Sequence, residues 1–202
     1  DHSLAISLVQ KAIALLYSGG PAEAIRVLNQ AIPRIDPERD PQLLLAACHN
    51  LVRCYADLGR PEHALSIFSE MRELYRRFDD PIIRLRAAWQ EAVLLRDLGH
   101  LRAAEAALLE LRQGFVDHAL LYEAAVASLD LASVYVKLQA ETELQQTVSE
   151  TVPIFKALGV EREMLASLLQ LQQLSHQTRQ ALDLLRNLSS RLEKLPSRQT
   201  LS

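Results

Sequence analysis

The sequence has few of the residues on which sheets and disulfide-stabilised folds depend. Aromatic residues make up 5% of the 202 positions and there are only six glycines and two cysteines, whereas 49% of the residues are hydrophobic. Because strands favour aromatic and β-branched side chains, this Ala- and Leu-rich composition predicts an all-α protein with almost no β-structure.

An excess of charge of one sign is also lacking, since the formal net charge is -3. This balance gives no overall attraction to phosphate backbones or anionic lipid, so we expect no direct nucleic-acid partner. No apolar run approaches the roughly 20 residues of a membrane span, and the N-terminus lacks the pattern of a signal peptide. We therefore expect no membrane association and a cytoplasmic location.

The chain lacks recognisable catalytic and metal-binding motifs. Cys48 and Cys54 lie about 240° apart around one predicted helix, which excludes a disulfide between them and indicates a reducing compartment. Cys48 and His49 point about 100° apart and cannot hydrogen-bond as a catalytic pair. The six histidines lack the spacing of a helical zinc site, and Gly19-Gly20 is not followed by the lysine of a phosphate loop. We predict no metal, no cofactor and no enzymatic activity.

What the chain does have is a turn that recurs every 40 residues. Gly19, Gly59 and Gly99 each follow an apolar segment with helical periodicity, and Gln139 occupies the next equivalent position. The position five residues after each of these turns is Ala24, Ala64, Ala104 and Leu144, and the same column continues to Leu184. Four equally spaced helix turns predict an array of antiparallel helix pairs.

We place about five pairs in one repeat domain over residues 1–195, followed by a flexible tail over 196–202. The pairs cover approximately 3–36, 41–79, 81–116, 120–158 and 161–195. The second helix of the fifth pair is more polar, as expected of a terminal cap that faces water. Pro33 and Pro153 share one column of the repeat, and each is expected to bend or end its helix.

The repeat columns resemble the tetratricopeptide repeat, in which two antiparallel helices pack through small residues and a glycine marks the turn. The matching residues are Leu51, Tyr55, Gly59, Ala64, Phe68 and Met71 in one block, and Ala92, Leu95, Gly99, Ala104, Leu108 and Leu111 in the next. The usual period is about 34 residues, so the extra residues lengthen the helices or the turns. Such long variants are found as sensor domains of bacterial regulators and signalling ATPases. A HEAT-type array, with a period of about 40 to 47, is the alternative.

The resemblance implies a right-handed superhelix whose first helices line the concave side, where ligands usually lie. One column there carries amides, which suit recognition of a peptide backbone, and a tryptophan beside arginines suits a side chain and a carboxylate. The predicted partner-binding residues are His49, Asn50, Arg53, Arg86, Trp89, Gln90, Arg96 and Asp130. The alternative is that these residues only solvate the inner wall and that Trp89 packs against a neighbouring helix.

These features predict a non-enzymatic module that binds a protein or peptide segment in its groove. The resemblance implies a sensor or adaptor part of a larger cytosolic regulatory protein. Because the sequence starts at Asp1 and not at a methionine, we expect a longer chain whose missing part carries the main activity. The alternative function is structural self-association into a homo-oligomer, through the apolar end of the array or its outer faces.

Overall fold

A computed structural model of the chain describes residues 2–159, 164 and 178–193. The helices are α1 (His2–Tyr17), α2 (Pro21–Ala31), a short 3-10 helix (Ile32–Arg34), α3 (Pro41–Asp57), α4 (Pro61–Arg76), α5 (Pro81–Asp97), α6 (Leu101–Asp117), α7 (Leu121–Leu138), α8 (Glu141–Ala157) and α9 (Thr178–Glu193). No strand occurs among these residues, and the predicted all-α class is confirmed. None of the helices described is both long and apolar enough to cross a membrane.

The helices follow the predicted period closely. From α2 to α8 they begin at residues 21, 41, 61, 81, 101, 121 and 141. Helices α2 to α5 all begin with proline, which lacks the N–H that would have no partner in a first turn. The Asp40 carboxylate accepts a hydrogen bond from the Leu43 N–H at 3.0 Å, and that of Asp80 accepts from the Ile82 N–H at 2.8 Å. Proline in the first turn and a capping aspartate therefore determine where these helices begin.

The turns inside the first four pairs share one backbone conformation. Gly19, Gly59 and Gly99 have φ angles of +84°, +68° and +85°, and Gln139 has a φ angle of +56°. At Gly59 the helix end is closed by two backbone bonds, from the Gly59 N–H to Ala56 and from the Arg60 N–H to Tyr55. The turn geometry is therefore kept at Gln139, where the sequence has lost its glycine.

Small residues follow the turn glycines at the starts of α2, α4 and α6. The alanines five positions after the turn glycines are fully buried, and so are the larger side chains four positions further on. These residues are Ala24, Ala64 and Ala104, followed by Leu28, Phe68 and Leu108. The columns that the sequence repeats every 40 residues are therefore buried at these positions.

The chain divides into two compact units after Leu98. In the first unit each helix from α1 to α5 packs against the next, and α1 also contacts α3. In the second unit α7 packs against α6, α8 and α9. Most of the residues of α7 from Ala124 to Val136 are therefore buried.

The predicted fifth pair lies only partly within the described residues. Its first helix, at 161–175, falls outside them except for Met164, which is buried, and the tail at 196–202 also falls outside. Its second helix is present as α9, which has one apolar face and one exposed polar face, as predicted. The buried residues are Ala181, Leu185 and Leu188.

The two prolines of the repeat have different effects. Helix α2 ends just before Pro33, which lies in the 3-10 helix. Pro153 lies inside α8, which continues to Ala157. Of the two expected effects, ending the helix is seen at Pro33, whereas Pro153 does not end α8.

Candidate partner-binding site

Seven of the eight predicted partner-binding residues lie in the first unit. Helix α3 carries His49, Asn50 and Arg53, and helix α5 carries Arg86, Trp89, Gln90 and Arg96. Asp130 lies on α7 in the second unit, where it is half-buried and its backbone carbonyl accepts a hydrogen bond from the Ser133 hydroxyl at 2.6 Å. The first unit therefore holds the larger candidate surface.

Three helices of the first unit meet at a hydrogen-bonded group of His49, Tyr75 and Gln90, which we call the histidine cluster. The side-chain Nε2 of Gln90 donates to the backbone carbonyl of His49 at 3.1 Å. The Tyr75 hydroxyl donates to Oε1 of Gln90 at 3.2 Å and lies 3.0 Å from Nδ1 of His49. The cluster joins α3, α4 and α5, with Tyr75 buried in the core and His49 and Gln90 half-buried.

The histidine cluster determines which ring nitrogen of His49 carries the hydrogen. A backbone carbonyl only accepts, so the amide nitrogen of Gln90 faces His49 and Oε1 faces Tyr75. Because Oε1 also only accepts, the Tyr75 hydroxyl gives its single proton to Gln90. The Tyr75 oxygen must then accept from Nδ1–H of His49, which leaves the lone pair on Nε2.

The charge of His49 follows from its surroundings. Burial, with the positive charges of Arg53 and Arg86 nearby, lowers the pKa of His49 to about 4. The imidazole is therefore neutral at pH 7. Besides burial, the guanidinium groups of Arg53 and Arg86 also disfavour a positive charge on His49.

The two amides among the predicted binding residues, Asn50 and Gln90, make hydrogen bonds inside the protein. Both polar ends of the Gln90 side chain are used within the histidine cluster. Asn50 donates from Nδ2 to the Ala46 carbonyl, one turn earlier in its own helix, at 2.8 Å. These bonds connect or support helices, so recognition of a peptide backbone by Gln90 would require the cluster to open.

Arg53 links α3 to the end of α1. Its guanidinium carbon lies 5.6 Å from the centre of the Tyr17 ring, within the range of a cation–π contact. Its Nε lies 3.9 Å from Oδ2 of Asp57, one turn further along α3. Tyr17 is 47% exposed, so this contact lies at the protein surface.

Arg86 differs from the other arginines of the first unit's helices. Helices α2 to α5 contain seven arginines, and six of them lie no more than 3.9 Å from a carboxylate oxygen. These six are Arg26, Arg53, Arg72, Arg76, Arg84 and Arg96. Arg86 is exposed and makes no ion pair with any of the described residues, while its charge reaches His49.

We call Tyr17, His49, Arg53, Arg86 and Trp89 the first-helix surface. Its members lie on α1, α3 and α5, and the tryptophan, three residues after Arg86, is half-buried and is the single tryptophan of the sequence. Arg96 is less accessible, because its side chain is 17% exposed and its Nε donates to Asp97 at 2.8 Å.

The thiols beside this surface are free and protonated. Burial, with the Glu70 carboxylate nearby, raises the pKa of Cys48 to about 11, and burial with Asp57 nearby raises the pKa of Cys54 to about 11. A protonated thiol is a poor nucleophile, and Nδ1 of His49 is bonded to Tyr75. No group of three or more potential ligands that could hold a metal ion occurs in the part of the chain that the structure describes.

Comparison with known proteins identifies the fold. No protein-family model and no curated protein sequence matches the chain. A Rap protein, solved in complex with Competence and Sporulation Factor, superimposes with a TM-score of 0.75 at 15% identity, covering 95% of this chain and 54% of the Rap protein. The chain has a tetratricopeptide-like helical repeat fold. The predicted tetratricopeptide-like fold is confirmed.

A second solved structure has repeats of the same kind. The putative kinesin light chain of Podosopora anserina, with nearly identical TPR-like repeats, superimposes with a TM-score of 0.64 at 17% identity. The match covers 96% of this chain and 99% of that one. The tetratricopeptide-like chain thus spans about half the length of the Rap protein and nearly all of the kinesin light chain repeats.

Proposed function

We propose that the chain is a non-enzymatic, cytosolic module that binds a protein or peptide segment on its first-helix surface. It acts as the sensor or adaptor part of a larger regulatory protein. The observation that carries this proposal is the first-helix surface itself, where two arginines, a tyrosine and a tryptophan lie at least partly exposed on the first helices of three successive pairs.

The composition of this surface is that of a binding site. Tryptophan, tyrosine and arginine are the residue types that contribute most to protein–protein affinity, because each offers a large contact area together with a polar group. The solved Rap protein has the same fold and is complexed with Competence and Sporulation Factor, which supports a ligand-binding role for such repeats. Two free thiols support a reducing, cytosolic environment.

The predicted residues divide into two roles in this proposal. Arg53, Arg86 and Trp89 contact the ligand. His49 and Gln90 position α3 and α5 relative to one another through the histidine cluster, and Asn50 lies beside them on α3. Arg96 and Asp130 stay predictions, and the proposal assigns neither of them a role.

A peptide-display selection against the purified chain tests the proposal. Enriched peptides are titrated by calorimetry into the wild type, into Arg53→Gln/Trp89→Phe, and into the control Arg76→Gln, whose exposed arginine pairs with Glu73 on α4. We expect the double variant to bind at least about tenfold more weakly and the control to bind normally. Enrichment of no peptide, or equal binding by the correctly folded double variant, would refute the proposal.

Self-association is the second candidate, and one observation favours it. Leu109 and Val116 lie seven residues apart on the same face of α6, and they are 44% and 43% exposed. A pair of exposed apolar side chains on an outer helix can join two copies of the chain. Sedimentation of the wild type and of Leu109→Glu tests this: a concentration-independent monomer in both excludes it, and a dimer that the substitution dissociates supports it.

A further inference from the structure

A cavity of about 390 Å³, which we call the Glu70 cavity, lies between the end of the first helix pair and both helices of the second pair. Its walls are mostly apolar, and they include one carboxylate. The wall residues include Ile32, Leu44, Cys48, Ile67, Glu70 and Leu74. Sites that bind ligands usually enclose about 300–1,000 Å³. The cavity is therefore large enough to receive a side chain of a partner.

The carboxylate of this cavity has no cation beside it. Glu70 is exposed on α4 and makes no ion pair with any residue that the structure describes. Both arginines of α4 have other partners, since Arg72 lies 2.6 Å from Glu91 and Arg76 lies 3.1 Å from Glu73. The charge of Glu70 therefore remains available to a positively charged ligand group.

The repeat shows which group pairs with a glutamate at this position. Glu70, Glu110 and Glu150 occupy one column of the 40-residue period. In the second unit, Glu150 of α8 lies 2.9 Å from the guanidinium of Arg112 on α6, and the Arg112 side chain is only 30% exposed. Two periods earlier the same two positions hold Glu70 and Ile32. The first unit thus has the glutamate but an isoleucine in place of the arginine.

A second, more open depression meets the cavity at Glu70. It measures about 600 Å³, and its walls include Glu62, Leu65, Ser69 and Leu98. No lysine or arginine occurs among the described wall residues of either depression. Acidic groups among apolar side chains complement a segment that carries a cation next to apolar residues. Two depressions that share a wall residue also fit a peptide better than a single small cation.

The chemistry of arginine matches the Glu70 cavity. Its aliphatic stem packs along apolar surface while the charged end reaches a polar partner. Its planar guanidinium pairs with the two oxygens of a carboxylate, whereas the lysine ammonium is a compact, strongly hydrated charge. An arginine side chain can therefore contact both the apolar wall and Glu70.

We propose that the Glu70 cavity binds an arginine side chain of a partner peptide, with the guanidinium on Glu70 and the stem against Ile32 and Ile67. No residue of the first-helix surface is among the described residues that line this cavity. The inference is therefore independent of the function proposed for that surface.

Three pools of ten-residue peptides test the ligand chemistry. Each pool has a leucine next to a fixed central residue, which is arginine, lysine or citrulline, the neutral analogue of arginine. The other positions are uncharged and the ends are acetylated and amidated, so that the central residue carries the only charge. Fluorescence anisotropy of labelled peptides measures binding to the whole chain. We expect the arginine pool to bind most tightly and the citrulline pool at least about tenfold more weakly.

Glu70→Gln and Glu73→Gln form a matched pair of variants. Both glutamates are exposed on α4, but Glu73 pairs with Arg76 and is not among the residues that line the cavity. We expect Glu70→Gln to weaken binding of the arginine pool by at least about tenfold, and Glu73→Gln to change it less than about threefold. Ile32→Arg supplies the arginine of the later repeat within the chain, and it should weaken binding of this pool to a similar extent.

The outcomes distinguish this inference from the proposed function. Absence of binding by the arginine pool, equal binding by the lysine or citrulline pool, or undiminished binding to Glu70→Gln would each overturn the arginine site. The variant Arg53→Gln/Trp89→Phe should bind the arginine pool normally, because its substitutions lie on the first-helix surface. Loss of binding in this correctly folded variant would assign the peptide to that surface and would also overturn the inference.

Discussion

Exchange of the turn residues at Gly59 and Gln139 tests whether a left-handed backbone, and not glycine itself, defines the repeat. Both residues have positive φ angles, +68° and +56°. A Cβ atom added at Gly59 would meet no heavy atom within 4 Å, so Gly59→Ala creates no clash. Its cost is therefore that of the left-handed conformation, about 1–2 kcal/mol, less the backbone entropy that alanine removes from the unfolded chain.

The expected effects have opposite signs at the two positions. Gly59→Ala should lower the free energy of unfolding by about 1 kcal/mol, which corresponds to about 2–4 °C in Tm for a chain of this size. Gln139→Gly should raise the free energy of unfolding by about 0.5–1 kcal/mol, because it relieves the same strain. Urea denaturation followed by circular dichroism measures both changes.

Gly20→Ala is the matched control, because Gly20 lies in the equivalent turn with a φ angle of -106°, which alanine adopts readily. Its substitution should change stability by less than about 0.5 kcal/mol. Equal losses from Gly59→Ala and Gly20→Ala would refute the reasoning, as would a Gln139→Gly variant that is less stable than the wild type.

Other predictions concern the histidine cluster and a helix start. Tyr75→Phe removes two hydrogen bonds and should lower the free energy of unfolding by about 1–3 kcal/mol. Tyr17→Phe, at an exposed tyrosine, is the control and should leave the free energy of unfolding unchanged in urea denaturation. Because the pKa of His49 is about 4 in the native state and 6.5 ordinarily, the unfolded chain takes up this proton first as pH falls. Stability should therefore fall by about 1–3 kcal/mol between pH 6.5 and 4, less so in His49→Gln. Asp40→Ala removes the cap of α3 and should lower Tm by about 2–4 °C.

The helical array was predictable because its determinants are local and repeated. Each determinant depends only on a few neighbouring residues. Tight packing requires a small side chain at Ala64 and Ala104, a positive φ angle favours glycine at Gly59 and Gly99, and a first helical turn accepts proline. Each of these residues alone is weak evidence for a helix turn, but their recurrence every 40 residues identifies the repeat. The conformation of Gln139 was not predictable, since glutamine has no preference for positive φ and only the surrounding helices impose it.

The candidate site was predictable only in part. The sequence analysis placed His49, Gln90 and Arg86 on first helices. The helical period at Tyr75 is that of a core residue, which the structure shows it to be, and gives no sign of its hydrogen bonds. Which hydroxyl reaches His49 depends on how three helices pack, and periodicity does not contain that information. The lack of a carboxylate partner for Arg86 likewise depends on which acids the other arginines contact.

The indole N–H of Trp89 offers the most direct test of ligand binding on the first-helix surface. Because the chain has one tryptophan, its proton–nitrogen correlation spectrum contains one indole side-chain signal. We predict that a peptide enriched by display shifts this signal saturably, and that Arg86→Gln reduces the shift at the same peptide concentration. A peptide that calorimetry shows to bind while the indole signal stays unchanged would contradict binding at this surface.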